Sequence, residues 1–238
     1  MLKILRTTKE IDPISRENSW DDSYKTFDIE KKNEILLNNK IEGYYEYIEI
    51  IDEFFKNINT KEKNIVELAC GTAPLAFFFK NKYNKKITCS DYSAIILNRL
   101  AKDYNFDVIK SDISDLSNFK DVSFDYIFLG GGFYEDQNPF FFSKVFYELN
   151  RKLKNDGKIY IFMNRHISLI NLRLYFKSLY FCKISPKSWN WLRSFFKKKK
   201  LNYEIALYLY SAKFIHKQLK NYNLKCTKKN YVGHALGL

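Results

Sequence analysis

Three acids and two glycine-bearing turns are spaced along this chain as a nucleoside site would need them. The first turn is Asn64-Ile-Val-Glu-Leu-Ala-Cys-Gly-Thr-Ala-Pro74, an apolar strand running into small residues and then a helix. Gly71 allows backbone conformations that other residues avoid, and Ala69 and Ala73 keep side chains out of the way, so a ligand can approach the backbone closely. Glu67 stands at the carboxyl end of the strand, where open parallel sheets bind ligands; the alternative is an acid that only caps the turn. Twenty residues past Gly71 comes Asp91, in Ile87-Thr-Cys-Ser-Asp-Tyr-Ser93. An acid at this spacing can accept both ribose hydroxyls of an adenosine ligand, or it can serve as the N-cap of the next helix.

Two further segments extend the surface. Asp112, in Val108-Ile-Lys-Ser-Asp-Ile-Ser-Asp-Leu116, could accept a bond from an adenine amino group, with the Ile113 backbone at the ring edge. Phe124-Asp-Tyr-Ile-Phe-Leu is followed by Gly130, Gly131 and Gly132. Three consecutive glycines after a buried strand pack poorly and cost entropy, which favours a functional reason for them.

The elements that must hold these residues follow from apolar periodicity. Short apolar runs predict strands at Ile65–Leu68, Ile87–Ser90, Phe106–Ile109, Phe124–Leu129 and Lys158–Met163. Helical patterns lie between them at Leu75–Lys82, Ala94–Asp103 (with Ser93 as N-cap) and Pro139–Leu153, and a turn at Asn155-Asp156-Gly157 leads into the last strand. Upstream, Phe27–Asn39 and Tyr44–Phe55 have amphipathic spacing; downstream, Ser211–Asn221 reads as a helix and Leu224–Leu238 as two short strands around Gly233. Alternating βα units imply an α/β architecture around a mostly parallel sheet.

In this order and spacing the four segments resemble the class I, Rossmann-like S-adenosylmethionine-dependent methyltransferases, over roughly Asn64 to Met163. Glu67–Ala73 looks like the family's motif I, although the family often carries three alternating glycines there and this chain keeps only Gly71. The resemblance implies S-adenosyl-L-methionine as cofactor, bound by Glu67, Ala69, Gly71, Thr72, Asp91, Tyr92, Asp112, Ile113 and Gly130. Tyr24, in Trp20-Asp-Asp-Ser-Tyr24, could close over it as upstream aromatic residues do in some relatives. The fold implied is a doubly wound, mostly parallel seven-stranded sheet with an antiparallel C-terminal strand and a helical lid insertion. As one domain it would comprise a helical cap (1–60), a cofactor-binding core (61–165), a basic and aromatic lid (166–210), and a last helix with strands (211–238).

Methyl transfer in that family is an in-line displacement, so the protein chiefly aligns the partners, an effect of about 7–11 kcal/mol. A base is needed only if the acceptor must lose a proton. Tyr134, Glu135 and Asp136 after the fourth strand and His166 after the fifth are candidates, while His216 and His234 read as structural. The Gly-Gly-Gly-Phe-Tyr order and the long insertion resemble small-molecule methyltransferases that modify quinones and natural products. An RNA methyltransferase and a non-catalytic cofactor-binding scaffold are the alternatives. A nicotinamide cofactor would require G-x-G-x-x-G after the first strand, which is absent.

Charge is unevenly distributed. The last 73 residues hold 15 of the 40 Lys and Arg but one of the 27 acids. Within them, residues 166–200 interleave aromatic and basic side chains and end in four lysines. Phe176, Phe181, Trp189, Trp191 and Phe195 could cover a small or lipid-like acceptor; the same residues suit an anionic membrane surface. Phosphate contacts to RNA are a third reading, although 33 Lys against 7 Arg argues against base readout, which commonly uses Arg. A solvated lysine-rich face is the fourth. Cys70, Cys89, Cys182 and Cys226 show no zinc spacing and read as reduced thiols, so no metal is expected. Without an apolar leader or spanning segment the expected location is the cytoplasm, with peripheral contact at the inner membrane surface as one reading.

Overall fold

The alternation of apolar runs and amphipathic stretches resolves into βα units in the computed structural model, which describes residues 20–38, 44–130, 139–162, 181–184, 207–210 and 212–225. Strands β1 (Ile65–Leu68), β2 (Thr88–Asp91), β3 (Val108–Lys110), β4 (Phe124–Leu129) and β5 (Leu153–Ile161) form one sheet in the order β3-β2-β1-β4-β5. All four pairings are parallel. The chain order reverses between β1 and β4, and in open sheets that switch point opens a crevice at the carboxyl ends of the strands.

Period-two alternation assigns the two faces. On one, Ile65, Cys89, Tyr126 and Phe128 pack with α2 (Ile29–Asn38), α3 (Tyr44–Phe55), α4 (Pro74–Tyr83) and α5 (Ala94–Tyr104). Phe55 is the hub of that core, edge-on to Phe79 at 5.1 Å and to Tyr126 at 4.8 Å; such pairs add about 0.5–1.5 kcal/mol each beyond their buried area. On the other face, Val66, Leu68, Ile127 and Leu129 meet α6 (Pro139–Lys152) through Val145, Phe146 and Leu149.

Helix boundaries follow local chemistry. Pro74 opens α4 at its first turn, and Ser93 caps α5 by accepting the Ile96 amide. Asn84 and Asn105 end these helices in the left-handed conformation that asparagine tolerates. A further helical segment, α1, covers residues 20–25.

The fifth strand begins earlier than its apolar run suggests. Lys158–Ile161 pairs with Tyr126–Leu129 as expected, but Leu153 already pairs with Phe124, and the intervening residues bulge out. Gly157 belongs in that bulge, because a Cβ there would lie 2.7 Å from Leu153 Cδ1.

The seven-stranded sheet is described as five strands, since residues 226–238, where two more were expected, lie outside the described residues. The insertion expected to be helical differs where it is described. There β6 (Phe181–Ile184) and β7 (Leu207–Tyr210) form a separate antiparallel ribbon. Phe-Cys-Lys-Ile and Leu-Tyr-Leu-Tyr are rich in residues that suit a pleated surface better than a helix. Helix α7 (Ala212–Asn221) matches its expected span and is followed by Tyr222, which packs edge-on to Tyr147 of α6 at 6.2 Å.

Candidate functional site

The turn after β1 is built from alternating left-handed residues. Ala69, Gly71 and Ala73 have φ of 48°, 51° and 56°. Small residues alternate here because a Cβ in this conformation costs about 1–2 kcal/mol, so only glycine or a short side chain is tolerated. The turn closes on itself through Ala73 N–H to Cys70 O at 2.8 Å, and Cys70 N–H ties it to Ser90 O on β2 at 2.9 Å.

Glu67 serves the helix beneath. Alternation along β1 sends its side chain to the α4 face, where the carboxylate accepts the Ala76 amide at 2.9 Å and the Leu75 amide at 3.4 Å. The capping alternative therefore describes its contacts. Burial pushes the Glu67 carboxyl up to about 8, while those two amides pull it the other way.

Asp91 joins two turns. Its Oδ2 accepts the Gly71 amide at 2.9 Å and its Oδ1 the Ser93 amide at 3.0 Å, with the residue 4% exposed. Because Ser93 itself caps α5, the N-cap alternative for Asp91 does not hold. A carboxylate offers about four lone-pair sites, so an acid holding two amides can accept further donors.

Residues from the amino-terminal helices cover this turn. The Tyr24 hydroxyl lies 3.0 Å from where a Cβ on Gly71 would stand, so a side chain at position 71 would crowd it as well as strain a left-handed backbone. Its ring stacks on Trp20, and its carbonyl accepts from Arg99 Nη1 at 2.7 Å. Asp21 accepts from the Ser93 hydroxyl. Behind them, the side-chain amide of Asn33 donates to Thr72 O at 2.7 Å. Sequence reasoning anticipated Tyr24 but missed Asp21, Asn33 and Arg99. A signal existed for Asn33: it stands one helical turn after Ile29 on the stripe that α2 buries, where an apolar residue is the ordinary choice.

The remaining expected residues lie along the same edge. Ser111 N–H donates to Asp91 O at 3.1 Å, which brings Asp112 beside the end of β2. Asp112 Oδ1 accepts the amide and the hydroxyl of Ser114, each at 2.8 Å, so this acid also organises its own turn. The Ile113 side chain is buried in the core of the α6 face, and Tyr92 is half-buried after β2. Gly130 follows β4 directly, and a Cβ there would meet nothing within 4 Å. Tyr134, Glu135, Asp136 and His166 lie outside the described residues. Among the described residues no group of His, Cys, Asp or Glu is placed to hold a metal.

Residues 65–157 match the family model of a methyltransferase domain. That span is a methyltransferase domain. Solved structures share its fold at low identity. The PH0226 protein of Pyrococcus horikoshii OT3 is 18% identical with a TM-score of 0.56, over 84% of this chain and 88% of that one. An SAM-dependent methyltransferase of Methanosarcina mazei is 16% identical with a TM-score of 0.51, over 71% and 82%. In a Haloferax volcanii complex, the Trm112 methyltransferase activator is bound to a chain named as a methyltransferase; the match is 14% identical with a TM-score of 0.58, over 92% and 81%. No curated protein matches the chain by sequence.

S-adenosylmethionine is the cofactor of this methyltransferase domain, and the residues present fit it. A fixed, buried acid ends β2, the backbone at Gly71 is closely approachable, and open space lies in front of Gly130. Bound there, the cofactor supplies a methyl group already activated by its sulfonium. Asp91 would hold ribose hydroxyls, and Tyr24 with α1 would exclude water from the turn. The protein's task is alignment.

Proposed function

We propose that the domain methylates a small, largely apolar acceptor. One observation carries this reading: the end of β4 at Gly130 is backed by two stacked rings buried in the core beneath it. Phe162 N–H donates to Leu129 O at 3.0 Å, which sets Phe162 beside Gly130, and Tyr47 stacks on its ring at 4.9 Å. An apolar floor under the carboxyl ends of the strands favours an apolar molecule, with few groups needed to orient it. Tyr134, Glu135 and His166 are the proposed bases for an acceptor that must lose a proton, and residues 166–210 the proposed cover. The chain is proposed to act in the cytoplasm as one domain, with 1–60 as its cap and the lysine-rich segment touching an anionic membrane. Among the described residues no helix is long and apolar enough to cross a membrane.

The basic excess of the last 73 residues favours a second reading, methylation of RNA. Incubating the protein with methyl-labelled S-adenosylmethionine, a low-molecular-mass extract and total RNA separates the two. Label in the organic-soluble, low-mass fraction supports the proposal. Label in RNA overturns it in favour of the second reading, and absence of transfer to either overturns both in favour of a cofactor-binding scaffold.

A further inference from the structure

Asn33 is 3% exposed, and its two polar atoms fare differently. The amide nitrogen donates to Thr72 O at 2.7 Å, whereas Oδ1 has no hydrogen-bond partner among the described residues. The donor fixes the orientation: with the amide flipped, two oxygens would face each other across that distance. A buried amide oxygen without a donor is costly, so native proteins seldom keep one unless something outside the polypeptide satisfies it.

The surroundings define that something. Nδ2 and Oδ1 sit on one carbon, so the oxygen lies beside Thr72 O, next to Gly71 and the Tyr24 hydroxyl that overhangs it. Helix α4 begins here, and an amino-terminal helix end ordinarily favours an anion. Here the Leu75 and Ala76 amides are already taken by Glu67. Two neighbouring acceptors, with the nearby helix donors occupied, call for a group rich in N–H donors. Asp91 holds the opposite side of the same turn through the Gly71 amide. A nucleoside whose ribose meets Asp91 therefore extends its other end past Gly71 and Thr72.

We infer that Asn33 Oδ1 accepts a hydrogen bond from the α-ammonium group at the amino-acid end of the cofactor. Asn33 is thus a specificity residue that distinguishes adenosyl ligands carrying an amino acid from those without one. The inference rests on the cofactor assignment and adds a residue to it from helix α2. Ammonium offers three donors and a positive charge, which suits a neutral oxygen held at low exposure.

Calorimetry with two ligands tests it: S-adenosylhomocysteine, which carries the ammonium, and 5′-methylthioadenosine, which lacks the amino acid. Asn33→Ala is expected to weaken S-adenosylhomocysteine by about 10- to 150-fold, the range for a hydrogen bond to a charged group, and to leave methylthioadenosine within about 3-fold. Equal loss on both ligands would show that Asn33 only supports Thr72, and no loss on either that water serves the oxygen; each overturns the inference. A wild-type titration guards against a misfolded alanine variant. Deaminated S-adenosylhomocysteine, which lacks only the ammonium, is expected to bind wild-type protein about 10- to 150-fold more weakly than S-adenosylhomocysteine, and equal affinity contradicts the role. If wild-type protein binds neither ligand, the cofactor assignment itself fails, a result distinct from all of these.

Discussion

The amide of Gly71 and the Oδ2 of Asp91 lie 2.9 Å apart, a bond between the turn after β1 and the end of β2. It holds an acid that could meet a ribose at a fixed position relative to a turn that could meet the rest of the ligand. The same carboxylate holds the Ser93 amide, and the Ser93 hydroxyl reaches Asp21 of α1. A continuous set of hydrogen bonds thus runs from the turn at Gly71 to the helices that cover it.

That continuity predicts a gate. Asp21→Ala removes the bond from Ser93 and leaves α1 held by Arg99 and the Tyr24 ring. Limited trypsin digestion should then cut at Lys25 or Lys31 faster by roughly 5- to 10-fold, the equivalent of one net hydrogen bond. Saturating S-adenosylhomocysteine should restore protection. Cleavage at the wild-type rate would mean that Asp21 does not hold the segment.

The left-handed turn predicts a stabilising glycine. Ala69→Gly removes strain of about 1–2 kcal/mol at a φ of 48°. Against that stands the greater freedom of glycine in the unfolded chain, about 0.4–1 kcal/mol. A net gain of about 0.5–1 kcal/mol should appear in urea unfolding. Destabilisation would contradict the left-handed conformation at this residue. Ala73 is less suitable because its methyl is fully buried, and deleting it would lose packing.

Glu67 predicts the sign of a pH effect. Its carboxyl is pushed up to about 8 from an ordinary value of 4.5, so between the two the native state binds more protons than the unfolded state. Stability from this group is then full below about pH 4.5 and is lost as pH rises through about 8. Glu67→Gln keeps an acceptor for the Ala76 amide and removes the titration. Relative to wild type, the variant should therefore be more stable at about pH 8 than at about pH 5 in matched urea titrations. A difference independent of pH would contradict the raised value.

Much of this was legible in the chain itself. Ile65–Leu68, Phe124–Leu129 and Tyr44–Phe55 have the bounds that apolar spacing predicts, because each run is long enough to cover one face and ends at a polar or small residue. The bulge at Leu153–Gly157 was not legible: Asn155-Asp156-Gly157 carries turn chemistry, and only pairing with Phe124 extends the strand across it. The juxtaposition of Gly71, Asp91 and Tyr24, though not a ligand role for any of them, follows the grouping that residue type and spacing suggested. The division of labour between two acids was not legible. Glu67 and Asp91 look alike as letters, but the pleat turns Glu67 toward α4 while Asp91 ends its strand against Gly71 and Ser93. Asn33 and Asp21 act across 39 and 72 residues of sequence; the buried stripe of α2 marks Asn33 as unusual, but no local pattern encodes either partner.

The central claim, a nucleoside held at the end of β2, is tested most directly by calorimetry of S-adenosylhomocysteine on wild type and Asp91→Ala, with circular dichroism confirming the fold of the variant. Wild type should bind, and the variant should bind about 10- to 150-fold more weakly, as expected for hydrogen bonds to a charged acceptor. Equal affinity in a folded variant would contradict the placement of the ligand against Asp91.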